Sequence, residues 1–165
     1  MKKISKLIVL LLIISFIVPH QVNAATTVPK KVITAMNKAI DENGRVIVID
    51  IQGERMYLFK NGKLKDSFRC VCSDYLNPNE CYFLIRNKDT DLRKYKEDGK
   101  TYEYGVYIDS YKKPMKYTIR IHSYAKAKGK TYKSSKHNPF GFAICTEKAK
   151  LIWKYYGDGT AVMSC

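Results

Sequence analysis

Acidic residues are scarce in this chain: 15 Asp and Glu stand against 30 Lys and Arg over 165 residues, giving a formal charge of +15 at neutral pH. Long apolar runs are lacking as well. The longest, Leu7 to Val18, falls short of the roughly 20 residues that a membrane-spanning helix needs. No cysteine follows that run, which argues against a lipid-anchored N-terminus. The five cysteines include no paired Cys-x-x-Cys motifs and have no histidine at ligand spacing, so a zinc centre is not expected, nor any other metal or cofactor. Internal repeats and a flexible linker are missing, which leaves one folding unit rather than an array.

What is present begins with an export leader. Lys2, Lys3 and Lys6 precede the apolar run, and Val22-Asn23-Ala24 places small residues where a signal peptidase cuts. The pattern predicts a signal peptide over 1–24 and a single domain over 25–165; the other reading is an uncleaved amphiphilic anchor. Loss of the leader removes three lysines and no acid, so the charge falls from +15 to +12. A basic exported domain is drawn to polyanions, which outside a bacterium means teichoic acids, anionic headgroups and peptidoglycan carboxylates. Nucleic acid is not an expected partner of an exported chain, and a monomer is expected. Cys70, Cys72, Cys81, Cys145 and Cys165 are odd in number, so at least one thiol stays unpaired within a monomer. Cys70 and Cys72 point to one face of a strand, too close in sequence for a relaxed mutual disulfide, and Cys81 is in reach of one of them across a turn.

Apolar spacing predicts a helix over 29–42 ended by Gly44, then strands over 45–52, 55–60 and 63–73, with Asn61-Gly62 as a hairpin turn. Further strands are predicted over 81–86, 102–110, 116–124 and 160–164, and a helix over 147–156 stopped by Gly157. Asn87 to Lys100 and the lysine-rich stretch Ala125 to His137 carry no periodic pattern and are expected as loops.

The candidate site lies between Tyr117 and Thr146. Ile119, Ile121 and Ser123 alternate with Arg120, His122 and Tyr124, which places His122 at a strand end. Gly141 is expected in a turn, followed by Phe142-Ala143-Ile144-Cys145. A thiol near an imidazole is a candidate nucleophile, because the imidazole can take its proton. With 141–145 extended, Phe142 and Ile144 face one way and Ala143 and Cys145 the other.

These residues resemble the L,D-transpeptidases of bacterial cell walls, the YkuD-type catalytic domain. Ile121-His122-Ser123 is similar to the family's Ile-His-Gly/Ser strand end, Gly141 to its motif glycine, Ala149 to the helix alanine, and Gly159-Thr160-Ala161-Val162 to its last strand. The hairpin over 46–64 and Pro78, Tyr82 and Leu84 also fit. Phe142 stands where the family has its nucleophilic cysteine, and Ile144 where it has an arginine.

The resemblance implies a mainly β fold, a sandwich or partly closed barrel with one or two packed helices. It also implies His122 as base, with Cys145 the only thiol near for nucleophile. Ser123 would line the cleft, and Gly141, Phe142 and Ala143 would supply oxyanion contacts. Peptidoglycan stem peptides and anionic wall polymers are the implied partners. Two functions remain open: acyl transfer through a cysteine thioester that remodels peptidoglycan cross-links, and a catalytically impaired member that binds peptidoglycan or anionic polymer. A secreted basic effector is a third. By motif count Phe142 is expected beside His122, and Cys145 toward the core.

Overall fold

The structure, a computed structural model, describes residues 27–39, 44–73, 82–85, 93–110, 119–137, 141–157 and 159–165. The expected leader, Cys81, the turn carrying Pro78 and the turn at 111–114 lie outside the described residues. Three hairpins close on the same kind of two-residue turn. Asn61-Gly62, Asp98-Gly99 and Lys128-Gly129 each place two successive residues at positive φ, between +49° and +73°. That is the backbone of a type I′ turn, whose twist matches the strands it joins.

The strands are β1 (Arg45–Asp50), β2 (Arg55–Lys60), β3 (Lys63–Arg69), β4 (Val71–Cys72), β5 (Tyr82–Ile85), β6 (Lys94–Glu97), β7 (Lys100–Glu103), β8 (Val106–Ser110), β9 (Ile119–Ser123), β10 (Ala125–Ala127), β11 (Lys130–Tyr132), β12 (Gly141–Ile144) and β13 (Ala161–Ser164). The helices are α1 (Lys30–Lys38) and α2 (Thr146–Tyr155). Nine strands form one sheet in the order β3-β2-β1-β13-β5-β8-β9-β12-β4. Its edge strands β3 and β4 are separated in sequence by Cys70 alone, so the sheet must curl until its edges approach. The result is the mainly β, partly closed barrel with two packed helices that the sequence suggested.

The inside of the curl holds Ile47, Ile49, Leu58, Ile121, Phe142, Ile144 and Val162, and α2 fills it with Ala149 and Ile152. The opposite face of β1 and β2 carries Val46, Val48, Tyr57 and Phe59, covered by Val32 and Ala35 of α1. β1 is therefore buried on both faces, which is why its sequence is an unbroken apolar run from Val46 to Ile49. Asp50 ends that run and takes Lys31 of α1 at 2.6 Å and the Gly53 N–H at 2.8 Å, so this buried carboxylate fastens helix, strand and turn. Cys70 and Cys72 do share one face: their sulfurs lie 3.9 Å apart in the core.

Two expected loops are strands instead. Residues 94–103 form the hairpin β6–β7, and 125–132 the hairpin β10–β11; together they make a second sheet, order β11-β10-β7-β6. Their strands are short and largely charged, so the apolar signal is weak, but backbone pairing needs only the tight turns. The predicted strand over 102–110 is broken at Tyr104, which has φ +52°, and the chain there passes from the second sheet to the first.

Candidate functional site

His122 and the 141–145 segment come together because β9 and β12 are neighbours. They pair in parallel, with Phe142 opposite Ile121 and Ala143 opposite His122. Side chains of paired residues share a face, so Phe142 joins Ile121 in the core and Ala143 stands beside His122. This corrects the motif count: the residue next to the imidazole is Ala143, and Phe142 is turned away from it and fully buried.

His122 is completely buried. Its Nδ1 lies 2.7 Å from the Ser123 carbonyl oxygen, which can only accept, so the proton of the neutral ring sits on Nδ1. Nε2 is then a bare lone pair, and it has no hydrogen-bond partner among the described residues. Burial pushes the imidazole down to about 4, against the modest opposing effect of the Ser123 carbonyl. The ring is thus neutral at physiological pH and carries the tautomer a general base requires. An unsatisfied buried polar atom costs about 1–3 kcal/mol, so this arrangement is kept at a price in stability.

The second sheet forms a roof over this ring. Tyr102 of β7 meets it edge-on, centroids 4.9 Å apart and planes at 84°, and Tyr95 of β6 stacks behind Tyr102 at 5.3 Å. Burial raises the Tyr102 hydroxyl to about 12. Arg120, on the same face of β9 as His122, lies 5.3 Å from the Tyr95 centroid and 5.2 Å from that of Tyr107, and its guanidinium pairs with Glu97. The Ser123 hydroxyl accepts the Glu103 N–H at 2.8 Å and donates to the Tyr124 carbonyl at 3.3 Å. Ser123 therefore fastens the roof to β9 and does not line an open cleft. Tyr102, Tyr95 and Glu97 were missed in the sequence, although Asp98-Gly99 flanked by alternating residues was the signal for their hairpin.

The proposed nucleophile is elsewhere. Cys145 is the N-cap residue of α2, half-buried and outside the core cluster that was expected to hold it. Strand geometry puts its Cα about 8 Å from that of His122, two residues along and one strand across. The Glu147 carboxylate near it is held below its usual range, first by its own backbone N–H and then by the Cys145 thiol. Gly141 cannot supply the missing group either. With φ +137°, any Cβ there would run into the backbone of Arg120. Gly141, Phe142 and Ala143 were expected as a turn with converging N–H donors. They form instead an interior strand between β9 and β4, with N–H groups directed into the flanking ladders.

Among the described residues no three His, Cys, Asp or Glu side chains are grouped to hold a metal ion. Cys70, Cys72, Cys145 and Cys165 are all free thiols.

No protein-family model matches the chain, and no curated protein matches it. Solved structures do. A fused Zn-dependent amidase/peptidase/peptidoglycan-binding domain-containing protein from Clostridium acetobutylicum is 18% identical over 78% of this chain, with TM-score 0.56. An L,D-transpeptidase solved in complex with imipenem is 12% identical over 73% of the chain, with TM-score 0.54. An L,D-transpeptidase from Stackebrandtia nassauensis is 9% identical over 80%, with TM-score 0.54. The chain spans 55%, 58% and 60% of those three chains in turn. At such identities the shared property is the fold, and this chain is a divergent protein of the L,D-transpeptidase fold.

Proposed function

We propose that the protein is exported and held on the bacterial wall by anionic polymer or peptidoglycan, and that it keeps the transpeptidase fold without cysteine acyl transfer. The observation that carries this reading is the register of β12 on β9. It sets Ala143 beside His122, with Phe142 in the core, while Cys145 stands at the N-cap of α2. A base with no nucleophile at its Nε2 cannot start thioester chemistry. The net charge of +15, or +12 after loss of the leader, supports attraction to wall polyanions.

Binding of the mature protein to purified sacculi, with and without teichoic acid, at low and high salt is the test. Release by 1 M salt, where the Debye length falls to about 3 Å, is expected. Binding indifferent to salt and to teichoic acid would contradict it. The enzyme reading rests on the bare, buried Nε2 of His122, the feature a general base would show, with Cys145 brought to it by a shift of the β12–α2 junction. A thiol adduct of imipenem that depends on His122 would favour it.

A further inference from the structure

At the end of α2 opposite Cys145, about 15 Å along the helix axis, the structure holds a cavity of about 370 Å³ between α2 and the starts of β1 and β3 and the end of β2. Arg45, Lys60, Lys65 and Lys154 line it, and the one acid among the described lining residues, Asp66, is paired with Lys148. Arg45 reaches the carbonyl of Tyr155 at 3.0 Å, which fixes its guanidinium at the wall and neutralises the negative end of the helix. Tyr155 also lines the cavity and is 55% exposed, an unusual degree for a large ring among the described residues.

We infer that this cavity is a binding site for a phosphodiester-linked polyol or sugar polymer. The inference rests on the wall-polymer reading above and gives it a location. Four cations gathered around one concavity, with the acid among the described lining residues already engaged by Lys148, create a local field that favours an anion. Three of the four are lysines, point charges that meet phosphate oxygens from any direction without a planar match. The volume is at the small end of ligand pockets and fits one or two repeat units of a chain rather than a branched cross-link. The half-exposed Tyr155 ring offers an apolar face for the carbon skeleton between phosphates, with Lys154 held over it at 5.0 Å.

The experiment measures binding of poly(glycerol phosphate) by the mature protein and two double variants that change net charge equally. Lys65→Glu/Lys154→Glu alters the cavity; Lys128→Glu/Lys130→Glu alters the exposed β10–β11 hairpin. All four lysines are exposed, so the fold is expected to survive, checked by circular dichroism. The cavity variant is expected to lose about tenfold or more in affinity and to flatten the salt dependence of binding, whose slope scales with the phosphates contacted. The hairpin variant is expected to stay within about threefold of wild type. Tyr155→Ala is expected to weaken the polymer but not inorganic phosphate.

Equal losses in the two double variants would overturn the site while leaving the charge reading intact. No polymer binding by wild type at low salt would overturn the wall-polymer reading itself. Equal or tighter cavity-dependent binding of polyglutamate or of a single-stranded oligonucleotide would overturn the assignment to a polyol phosphate.

Discussion

Truncation of Phe142 tests which face of β12 it occupies. The side chain is fully buried and packs in the main core with Ile121, Ile144 and Cys72 around it. Phe→Ala at such a site removes both the transfer free energy of the ring and the contacts of the atoms left around the cavity, about 3–5 kcal/mol together. Native domains are stable by only about 5–15 kcal/mol, so this is a large share. For a domain of this size each kcal/mol moves the melting temperature by roughly 3–4 °C, which predicts a fall of roughly 9–20 °C for Phe142→Ala. Phe142→Leu keeps most of the volume and is expected to cost less than about 1.5 kcal/mol. Thermal and urea melts of the three proteins read both numbers. A Phe142→Ala loss under about 1 kcal/mol would refute the placement, because it would mean the ring borders an open cleft.

His122 should make the fold acid-sensitive. Its pKa falls from 6.5 in the open chain to about 4 when folded, so the unfolded state takes up the proton first as pH falls. Its contribution is whole above pH 6.5 and fades through pH 4, about 3 kcal/mol in all; urea melts over that range should show a slope that His122→Gln flattens. Gly141→Ala should destabilise by more than about 3 kcal/mol, since it adds a positive-φ strain to a backbone collision with Arg120, and thermal melts or loss of soluble yield would show it. Ala143→Cys should place a thiol beside His122, at an overpacking cost of about 1–3 kcal/mol. Its alkylation by iodoacetamide should fall when His122→Ala is added, as seen by peptide mass mapping.

Much of the main sheet was legible in the sequence, because β1, β2, β9 and β13 carry apolar residues at the spacing their buried faces demand. The second sheet was not. Lys94 to Glu103 and Ala125 to Tyr132 stabilise by backbone pairing and by a few aromatics, with little apolar alternation to read. Asp98-Gly99 and Lys128-Gly129 held the information in their turns instead. The position of His122 at a strand end could be read directly. Its neighbour could not, because a strand exposes alternate residues to opposite faces and a slip of one residue exchanges them. Motif counting fixed the order of Gly141, Phe142 and Ala143, whereas the β9–β12 register decides which one meets the imidazole. The roof of Tyr102 and Tyr95 depends on a contact between the two sheets and has no local trace near His122.

The central claim is that His122 has no thiol partner. Intact-mass spectrometry after incubation of the mature wild-type protein with imipenem tests it most directly, with Cys145→Ala and His122→Ala alongside. The account predicts no stable adduct on any of the three. An adduct on wild type that maps to Cys145 and disappears in His122→Ala would contradict it and make Cys145 and His122 a working catalytic pair.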